Sequence, residues 1–255
     1  VFGILPIGLA YHVAYSFDPY LLLKTRDATM TLPLEPSAEA NAGLAPWEPL
    51  FLSYIVNAER QLVDGVPHRL RARFRSAKER RHWQWHFVEH HLAHEVSAFL
   101  PSPFDDAAVL TLDGRGEKTA TSYGHFANGE YRRLKQVELP SSLGLLYEQV
   151  TDYLGFLRSS DEYKVMALAS YGKPHYVDWF RDVVELTGDG GYVVHPARLE
   201  KRFGPKRQRG EPVTQQHFDI AHSLQAVLEE TVIALASWLR QETASPNLCL
   251  GGGVG

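Results

Sequence analysis

The sequence predicts an α/β fold, here an incomplete portion of one, on the strength of three observations. An uninterrupted apolar run at residues 107–112 is typical of a buried strand and is followed at once by a glycine-containing turn. A long segment after Thr214 repeats apolar residues with the period of an amphipathic helix. A second apolar run at 248–250 leads directly into a glycine-rich turn at 251–255. Strands and helices that alternate around strand-end loops of this kind indicate an α/β domain.

The composition is that of a folded protein rather than a disordered or membrane-spanning one. Of the 255 residues 44% are hydrophobic, and 12 Phe, 12 Tyr and 5 Trp argue against intrinsic disorder. The net charge of −4 disfavours a nucleic-acid binder. No apolar run approaches the roughly 20 residues that span a bilayer. The single cysteine, Cys249, cannot form an internal disulfide, which fits a cytoplasmic protein.

The first 81 residues predict one strand and one helical region. Residues 13–17 form a short apolar run ended by Asp18 and Pro19, as expected of a strand. Residues 28–50 hold four prolines and little charge, which predicts an irregular connection. From 48 to 81 the apolar spacing is helical, and residues 69–81 carry seven Arg or Lys. We expect this basic stretch to be a solvated helix face or a docking surface, with a nucleic-acid contact as the alternative.

The remainder predicts strands and helices joined by tight turns. Asn128 and Gly129 are a strong hairpin signal, residues 188–191 predict a glycine-rich turn, and residues 201–212 predict a basic linker. The predicted strands span residues 85–88, 107–112, 121–125, 131–137, 192–194 and 248–250, and the predicted helices span 145–156, 162–171 and a long segment after 214.

A histidine cluster follows the predicted strand at 85–88. His90 and His94 are four residues apart, so on a helix they lie on one face, one turn from each other. Two neutral imidazoles at this spacing can bind one divalent ion, and zinc, iron and manganese all accept such ligands. Polar packing or a helix-end hydrogen bond is the alternative, which the spacing alone favours. His91 falls on a different face, where packing or hydrogen bonding is expected.

The segment at residues 111–117 puts an acidic residue and two glycines at a strand end. Asp113 offers a hard oxygen ligand, while Gly114 and Gly116 would let backbone N–H groups approach an anion. The same residues also suit a plain Asp-Gly turn. The pattern alone leaves these two interpretations open.

Two further segments could contact a ligand. Asp161 and Glu162, near a predicted helix start, suit N-capping and the helix dipole, with Lys164 as an ion-pair partner, and this structural role is favoured. The alternative is that the carboxylates bind ribose hydroxyls or orient an acceptor hydroxyl, and that the lysine meets a phosphate. Gly252 and Gly253 would permit close approach of a nucleotide, although their spacing matches neither the dinucleotide-binding nor the P-loop pattern.

Taken in order, several motifs resemble one family, the antibiotic and nodulation-factor O-carbamoyltransferases. The resemblance covers roughly residues 85–255 and extends to the predicted strand at 13–17. The matching motifs are HHLAH at 90–94, TLDGRGE at 111–117, LGLLY at 143–147, DEYKVMALASYG at 161–172, DIAHSLQ at 219–225 and residues 248–254.

This resemblance implies an actin-like ATPase fold, ribonuclease H-like and duplicated, which the tRNA threonylcarbamoyl transferases also have. It predicts a first lobe at residues 1–200, with insertions and without its amino-terminal strands, and the start of a second lobe at 201–255. The chain starts inside an apolar segment without methionine and stops in a glycine turn, so we expect a piece of a longer protein. The adenylate-forming domain of the family is expected beyond residue 255.

The resemblance also implies a reaction. In this family, carbamoyl phosphate and ATP give carbamoyladenylate, and the carbamoyl group then passes to a hydroxyl of a small-molecule natural product. A divalent metal, expected to be Fe(II), assists the transfer. The implied protein is cytoplasmic, with no membrane or nucleic-acid partner and with a homodimer as a candidate assembly. A tRNA threonylcarbamoyl transferase and a non-catalytic metal- or nucleotide-binding module are the open alternatives.

The metal ligands of the family carry over onto three positions that match its motifs. They are His90, His94 and Asp113, and a further aspartate ligand is expected beyond residue 255. Glu95 replaces the alanine that is usual after the second histidine, and would add a carboxylate near the metal.

The resemblance also assigns substrate-contacting residues. Asp161 is the first choice for the general base that takes the acceptor proton, with Lys164 beside it. The residues expected to approach the nucleotide are Gly114, Gly116, Glu117, Glu162, Gly252 and Gly253.

Overall fold

The computed structural model describes residues 10–23, residue 55 and residues 82–255. The expected connection at 28–50 and the basic stretch at 69–81 lie outside the described residues. So does the helical region predicted at 48–81, except for Ile55, which is helical and buried. None of the described helices is both long enough and apolar enough to cross a bilayer.

The described residues form a mixed α/β structure, which confirms the predicted class. The strands are β1 (Ala10–Tyr15), β2 (His82–Phe87), β3 (Ala107–Leu112), β4 (Thr119–Ala127), β5 (Glu130–Glu138), β6 (Val184–Leu186), β7 (Tyr192–Val194) and β8 (Leu248–Gly251). The α-helices are α1 (His90–Phe99), α2 (Leu143–Tyr153), α3 (Glu162–Ala169), α4 (Val177–Val183), α5 (Leu199–Phe203) and α6 (Gln215–Thr243), and a 3₁₀ turn spans Pro19–Leu21. The actin-like duplicated arrangement and the division into lobes at residue 200 stay predictions.

The largest sheet of the described residues has four strands in the order β5-β4-β3-β8. β3, β4 and β5 are antiparallel neighbours, and Asn128 and Gly129 turn the β4–β5 hairpin with φ angles of 54° and 77°. The predicted Asn-Gly hairpin is therefore confirmed. β8 lies parallel to β3 on the other side, so the helices between them form a crossover connection. β1 pairs in parallel with β2, and β6 pairs antiparallel with β7.

Strand β3 lies between two helical layers and is buried on both faces. Leu110 and Leu112 face the main core, which α2, α3, α4 and α6 complete, whereas Val109 faces a smaller cluster beneath α1. All three side chains are fully buried, and burial of each contributes roughly 1.5–3 kcal/mol. A strand held on both faces gives a fixed position to the residue that follows it, Asp113.

The predicted basic linker at 201–212 is wrong at its start, because residues 201–203 belong to α5. Leu199 and Phe203 are four residues apart and both buried, which anchors this short helix to the core. The charged residues between them masked this apolar pair in the sequence. The long helix after Thr214 is confirmed as α6.

Candidate metal centre

Glu117 anchors the first turn of α1. The backbone N–H of His90 donates to both carboxylate oxygens of Glu117, at 3.2 and 3.3 Å, and the N–H of Asp18 donates to one of them at 2.5 Å. A carboxylate at a helix N-terminus satisfies N–H groups that have no partner within the helix. Glu117 is 3% exposed, and burial raises the pKa of its carboxyl despite these hydrogen bonds. Its observed contacts thus join the 10–23 segment to the histidine helix.

Three side chains converge beside this turn. The Nε2 atom of His90 lies 2.7 Å from Oδ2 of Asp113 and 3.0 Å from Nε2 of His94. The Nε2 atom of His94 lies 3.3 Å from the same oxygen of Asp113. All three ligand atoms lie within 4.8 Å of one another, and the described residues contain no other such set of three His, Cys, Asp or Glu groups. The structure thus brings together the three residues that the sequence nominated as metal ligands.

The two residues that follow β1 hold the ring of His90 in one orientation. Its Nδ1 atom lies 3.0 Å from the backbone oxygen of Ser16, and its ring stacks on Phe17 with centroids 4.2 Å apart and planes 7° apart. A carbonyl oxygen can only accept a hydrogen bond, so Nδ1 carries a proton and Nε2 is the nitrogen that faces the centre, where it can hold either a proton shared with Asp113 or a metal ion. Burial lowers the pKa of His90 most strongly, but hydrogen bonds to Asp113 and Ser16 outweigh it, and the net pKa is raised.

Asp113 is held ionised at the end of β3. Its Oδ1 atom accepts a hydrogen bond of 2.7 Å from the N–H of Gly114, which leaves Oδ2 facing the two imidazoles. Burial alone would raise the pKa of this carboxyl, but the hydrogen bonds from His90 and His94 outweigh burial and hold the pKa well below its usual range. A carboxylate of this kind is a ready oxygen ligand for a divalent cation.

The start of α2 packs against the loop that carries Asp113. Ser142 caps α2 by accepting from the N–H of Leu145 at 3.1 Å, and its hydroxyl donates to the backbone oxygen of Gly114 at 2.7 Å. A Cβ atom on Gly144 would lie 2.6 Å from the Cα atom of Gly114, closer than any contact can be. Glycine at 144 therefore permits the helix and the strand-end loop to approach so closely.

A cavity of about 710 Å³ opens beside the centre. His90 and Asp113 contribute to its lining, as do three of the residues predicted to approach a nucleotide, Gly114, Glu162 and Gly253. Sequence reasoning did not assign several other lining side chains, among them Phe17, Arg115, Tyr147, Glu148, Tyr163 and Met166.

An ion pair that sequence reasoning missed lies in the cavity wall. The Nη2 atom of Arg115 lies 3.3 and 3.2 Å from the two carboxylate oxygens of Glu148, and the two side chains are only 7% and 11% exposed. Burial raises the pKa of Glu148, and the charge of Arg115 opposes this shift. Arg115 lies between the two glycines of one motif and Glu148 directly follows another motif, so only the fold reveals that the two meet.

Three of the predicted nucleotide-contacting residues lie outside the cavity lining. These are Gly116, Gly252 and the helix-anchoring Glu117. A Cβ atom on Gly116 would lie 3.1 Å from the ring of His91, so this glycine lets the loop pass under α1. Gly252 has a φ of +92°, and a Cβ atom there would lie 2.1 Å from the backbone oxygen of Leu112. The structure gives both glycines backbone roles, and their contact with a nucleotide stays a prediction.

Asp161 and Lys164 also lie outside the cavity lining, and they pair with each other. The Nζ atom of Lys164 lies 2.8 Å from Oδ1 of Asp161, and the N–H of Leu157 donates to Oδ2 at 3.1 Å. The hydrogen bond from Lys164 lowers the pKa of Asp161. Asp161 stands at the N-cap position of α3 but makes no capping hydrogen bond, so that part of the structural interpretation is wrong, whereas the ion pair with Lys164 and the position of Glu162 in the first turn of α3 agree with it. A catalytic role for either residue stays a prediction.

His91 faces the sheet rather than the centre, as expected. It is fully buried, its Nε2–H donates to the backbone oxygen of Thr119 at 2.9 Å, and its Nδ1 atom lies 2.8 Å from the hydroxyl of Thr111. Burial lowers the pKa of His91 to about 4. The imidazole therefore stays neutral and ties α1 to β3 and β4.

Glu95 does not add a carboxylate to the metal centre, and that expectation is wrong. Glu95 follows His91 by four residues and so shares its sheet-facing side of α1. Its carboxylate is fully buried and accepts hydrogen bonds from Ser122 at 2.8 Å and from Tyr131 at 2.5 Å. The sequence puts Glu95 next to His94, but the helical rotation between neighbours turns the two side chains in different directions.

A comparison with known protein families shows which family this chain belongs to. A model of the carbamoyltransferase N-terminal region matches residues 54–255. The chain belongs to the carbamoyltransferase N-terminal family. The family resemblance seen in the ordered motifs is thereby confirmed.

Individual relatives agree with the assignment to the carbamoyltransferase N-terminal family. The chain is 42% identical over 183 residues to the protein sll1178 of Synechocystis, a match covering 66% of this chain and 30% of the relative. It is 39% identical over 172 residues to the nodulation protein NolNO of Sinorhizobium fredii, covering 66% of this chain and 25% of that protein. It is 40% identical over 178 residues to the nodulation protein NolO of Bradyrhizobium diazoefficiens, covering 66% and 31%. The chain thus spans about a quarter to a third of the length of these curated relatives.

Proposed function

We propose that this chain is the metal-binding, acyl-transferring part of an O-carbamoyltransferase. It would move a carbamoyl group from carbamoyladenylate, made from carbamoyl phosphate and ATP, to a hydroxyl of a small-molecule natural product. The observation that carries the proposal is the convergence of His90, His94 and Asp113 beside a cavity of about 710 Å³. A cavity of this volume falls within the range of small-molecule sites.

The donor set suits a divalent transition metal. Adjacent ligands on an octahedral ion with bonds of about 2.1 Å lie about 3.0 Å apart. The three observed separations are 2.7, 3.0 and 3.3 Å. Two neutral imidazoles and one carboxylate on a shared face are a known ligand set for Fe(II) with open positions, which supports Fe(II) as the proposed ion.

A divalent ion bound here would supply Lewis acidity towards the carbamoyl carbonyl or the anhydride oxygen of the adenylate. In the transfer, the acceptor oxygen attacks the carbamoyl carbon, the bond from that carbon to the phosphate oxygen breaks, and AMP leaves with the electron pair. The hydroxyl proton passes to a base. The residues of this chain would hold the two substrates close together and in the orientation that this step needs.

Glu162 is the base that the geometry supports best. It lines the cavity, whereas Asp161, the first choice on sequence grounds, would have to leave Lys164 to reach it. The carboxylate of Glu162 already accepts a hydrogen bond of 2.8 Å from the N–H of Ser159, which fixes its orientation. A base must lie within hydrogen-bond reach of the proton that it takes, and a lining residue meets this condition without rearrangement.

The test removes the two imidazoles from the intact protein that contains this chain. Replacing His90 and His94 together by Ala is expected to abolish metal uptake and carbamoyl transfer, while carbamoyladenylate formation from carbamoyl phosphate and ATP survives. A matched control replaces His175 and His195, two exposed histidines outside the centre, by Ala. Equal loss of both half-reactions in the first variant would contradict the proposed roles.

Measurements of tRNA binding and of carbamoyl transfer on the same intact protein distinguish the alternative functions. A tRNA threonylcarbamoyl transferase would bind tRNA with an affinity that falls steeply with salt, whereas the net charge of −4 argues for a small-molecule acceptor. A non-catalytic module would bind metal but transfer no carbamoyl group. The buried cysteine, Cys249, is consistent with the cytoplasm that we propose as the compartment.

A further inference from the structure

The two metal-site histidines lie between two glutamates that both reach strand β5. Glu89 directly precedes His90 and Glu95 directly follows His94. The carboxylate of Glu89 accepts a hydrogen bond of 2.7 Å from Gln136 of β5. The carboxylate of Glu95, which is fully buried, accepts from Tyr131 of the same strand at 2.5 Å. Both ends of the histidine segment are therefore tied to one strand.

Arg133 of β5 bridges the two glutamates. Its Nη1 atom lies 2.6 Å from Glu89, and its Nη2 atom lies 3.7 Å from Glu95. Its Nε–H also donates to the hydroxyl of Tyr131 at 3.3 Å. A planar guanidinium presents its donors in a fixed fork, so one side chain makes a close ion pair with Glu89 and a longer charge contact with Glu95.

A β-bulge brings these side chains to the same face of the sheet. In a regular strand Arg133 and Gln136, three residues apart, would point to opposite faces. The pairing of β4 with β5 shifts register here, because Tyr123 pairs with Lys135 whereas the next residue, Gly124, pairs with Arg133. The extra residue at 134 restores Arg133 to the face of α1, and such bulges re-aim side chains in this way.

Gly124 of β4 makes room for the other contact. A Cβ atom at 124 would lie 2.5 Å from the ring carbon Cε2 of Tyr131, closer than any real contact. The Tyr131 ring therefore passes over a position without a side chain, and its hydroxyl reaches Glu95 beneath α1. A buried carboxylate is costly without partners, so this contact determines how α1 can lie on the sheet.

We propose that Tyr131 and Arg133 are positioning residues that hold His90 and His94 at the separation needed to bind one metal ion. They contact neither histidine and act through Glu95 and Glu89. The proposal rests on the proposed metal centre. Residues that hydrogen-bond directly to metal ligands typically alter metal affinity by about 10–100-fold when they are replaced, and Tyr131 and Arg133, which act one contact further out, are expected at the low end of this range.

The experiment measures binding of cobalt(II) alone to the intact protein that contains this chain. Arg133→Met keeps the apolar stem and removes the guanidinium. Lys135→Met is the matched control, because Lys135 lies two residues away on β5 but points to the opposite face, where it pairs with Asp189 at 2.7 Å. The two readouts are affinity in competition with a chelator and the visible absorption of bound cobalt, which reports ligand geometry without any need for turnover.

Arg133→Met is expected to weaken cobalt binding about 10-fold or more and to change the absorption bands, while Lys135→Met matches the wild type. Tyr131→Phe, which removes one hydroxyl and keeps the ring, is expected to act in the same direction, and it serves as the test if Arg133→Met does not fold.

Wild-type affinity and spectrum in both Arg133→Met and Tyr131→Phe would overturn the positioning role alone. An equal loss of cobalt affinity in Lys135→Met would also overturn the positioning role, because the loss would then reflect a general disturbance of strand β5. Failure of the wild type itself to bind cobalt would overturn the metal centre, and the positioning role with it.

Discussion

The Nδ1 atom of His90 lies 3.0 Å from the backbone oxygen of Ser16, and this contact fixes which nitrogen faces the metal centre. Because the carbonyl accepts, Nε2 is the nitrogen free to take either a metal ion or a proton. In the described arrangement that nitrogen lies 2.7 Å from Oδ2 of Asp113. Metal and proton therefore compete for one lone pair.

Metal binding is expected to weaken as pH falls. The pKa of His90 is raised because its hydrogen bonds to Asp113 and Ser16 outweigh burial, so protonation of the free site begins above the ordinary value. Below that pKa each pH unit should reduce the apparent affinity by up to about 10-fold. Competition between the protein and a chelator for cobalt(II), measured between pH 6 and pH 8, gives the apparent affinity at each pH. A His195→Ala variant is the control, and its affinity should depend on pH in the same way as that of the wild type. An apparent affinity for cobalt that stays the same from pH 6 to pH 8 would refute this competition.

Stability is expected to fall in mild acid because of His91. Burial lowers its pKa to about 4, so the unfolded chain binds a proton that the folded chain excludes. The contribution is fully present above about pH 6.5 and is lost as pH falls towards 4, amounting to about 3 kcal/mol. Urea unfolding of the intact protein at pH 7.5 and pH 5 should show about 2 kcal/mol of this loss, and His91→Gln should reduce it. Parallel pH curves for the two proteins would contradict the assignment.

Removal of Glu148 is expected to destabilise the fold through Arg115. Glu148→Ala takes away the carboxylate that the buried guanidinium contacts at 3.2 Å, and the loss should be about 3 kcal/mol. The double variant Arg115→Met, Glu148→Leu should recover most of it, because no charge then remains buried. The exposed pair of Arg181 with Glu230 is the control, and Glu230→Ala should cost less than about 1 kcal/mol. Similar losses for the buried and the exposed variants would count against the prediction.

A methyl group at position 144 is expected to disturb the metal centre from the far side of its loop. In Gly144→Ala the added carbon would lie 2.6 Å from the Cα atom of Gly114 and 2.9 Å from the carbonyl carbon of Asp113. The loop must move, so Asp113 should be displaced and cobalt affinity should fall by about 10-fold or more. Asp152→Ala, which removes an exposed ion pair on the same helix, should leave the affinity unchanged. Normal cobalt binding by Gly144→Ala would mean that the loop yields without moving the ligand.

Local patterns predicted most of the described elements. The apolar run of β3, the Asn-Gly turn after β4 and the period of α6 each have a cause within a few residues of sequence. Predicted helix ends shifted by two or three residues because caps such as Ser142 and tertiary packing determine where a helix starts and stops. α5 was missed because its two buried residues gain their burial only from the assembled core.

The sequence by itself determined that His90 and His94 share one side of a helix and that Asp113 ends a buried strand, because both follow from local periodicity. Only the tertiary structure decided that the three atoms meet, since β3 and α1 approach each other through packing that no local pattern encodes. The fold likewise turned Glu95 towards the sheet and used a bulge in β5 to bring Arg133 under α1. Each of these outcomes depends on which distant side chain lies opposite, and that is settled only when the sheet and its helices assemble.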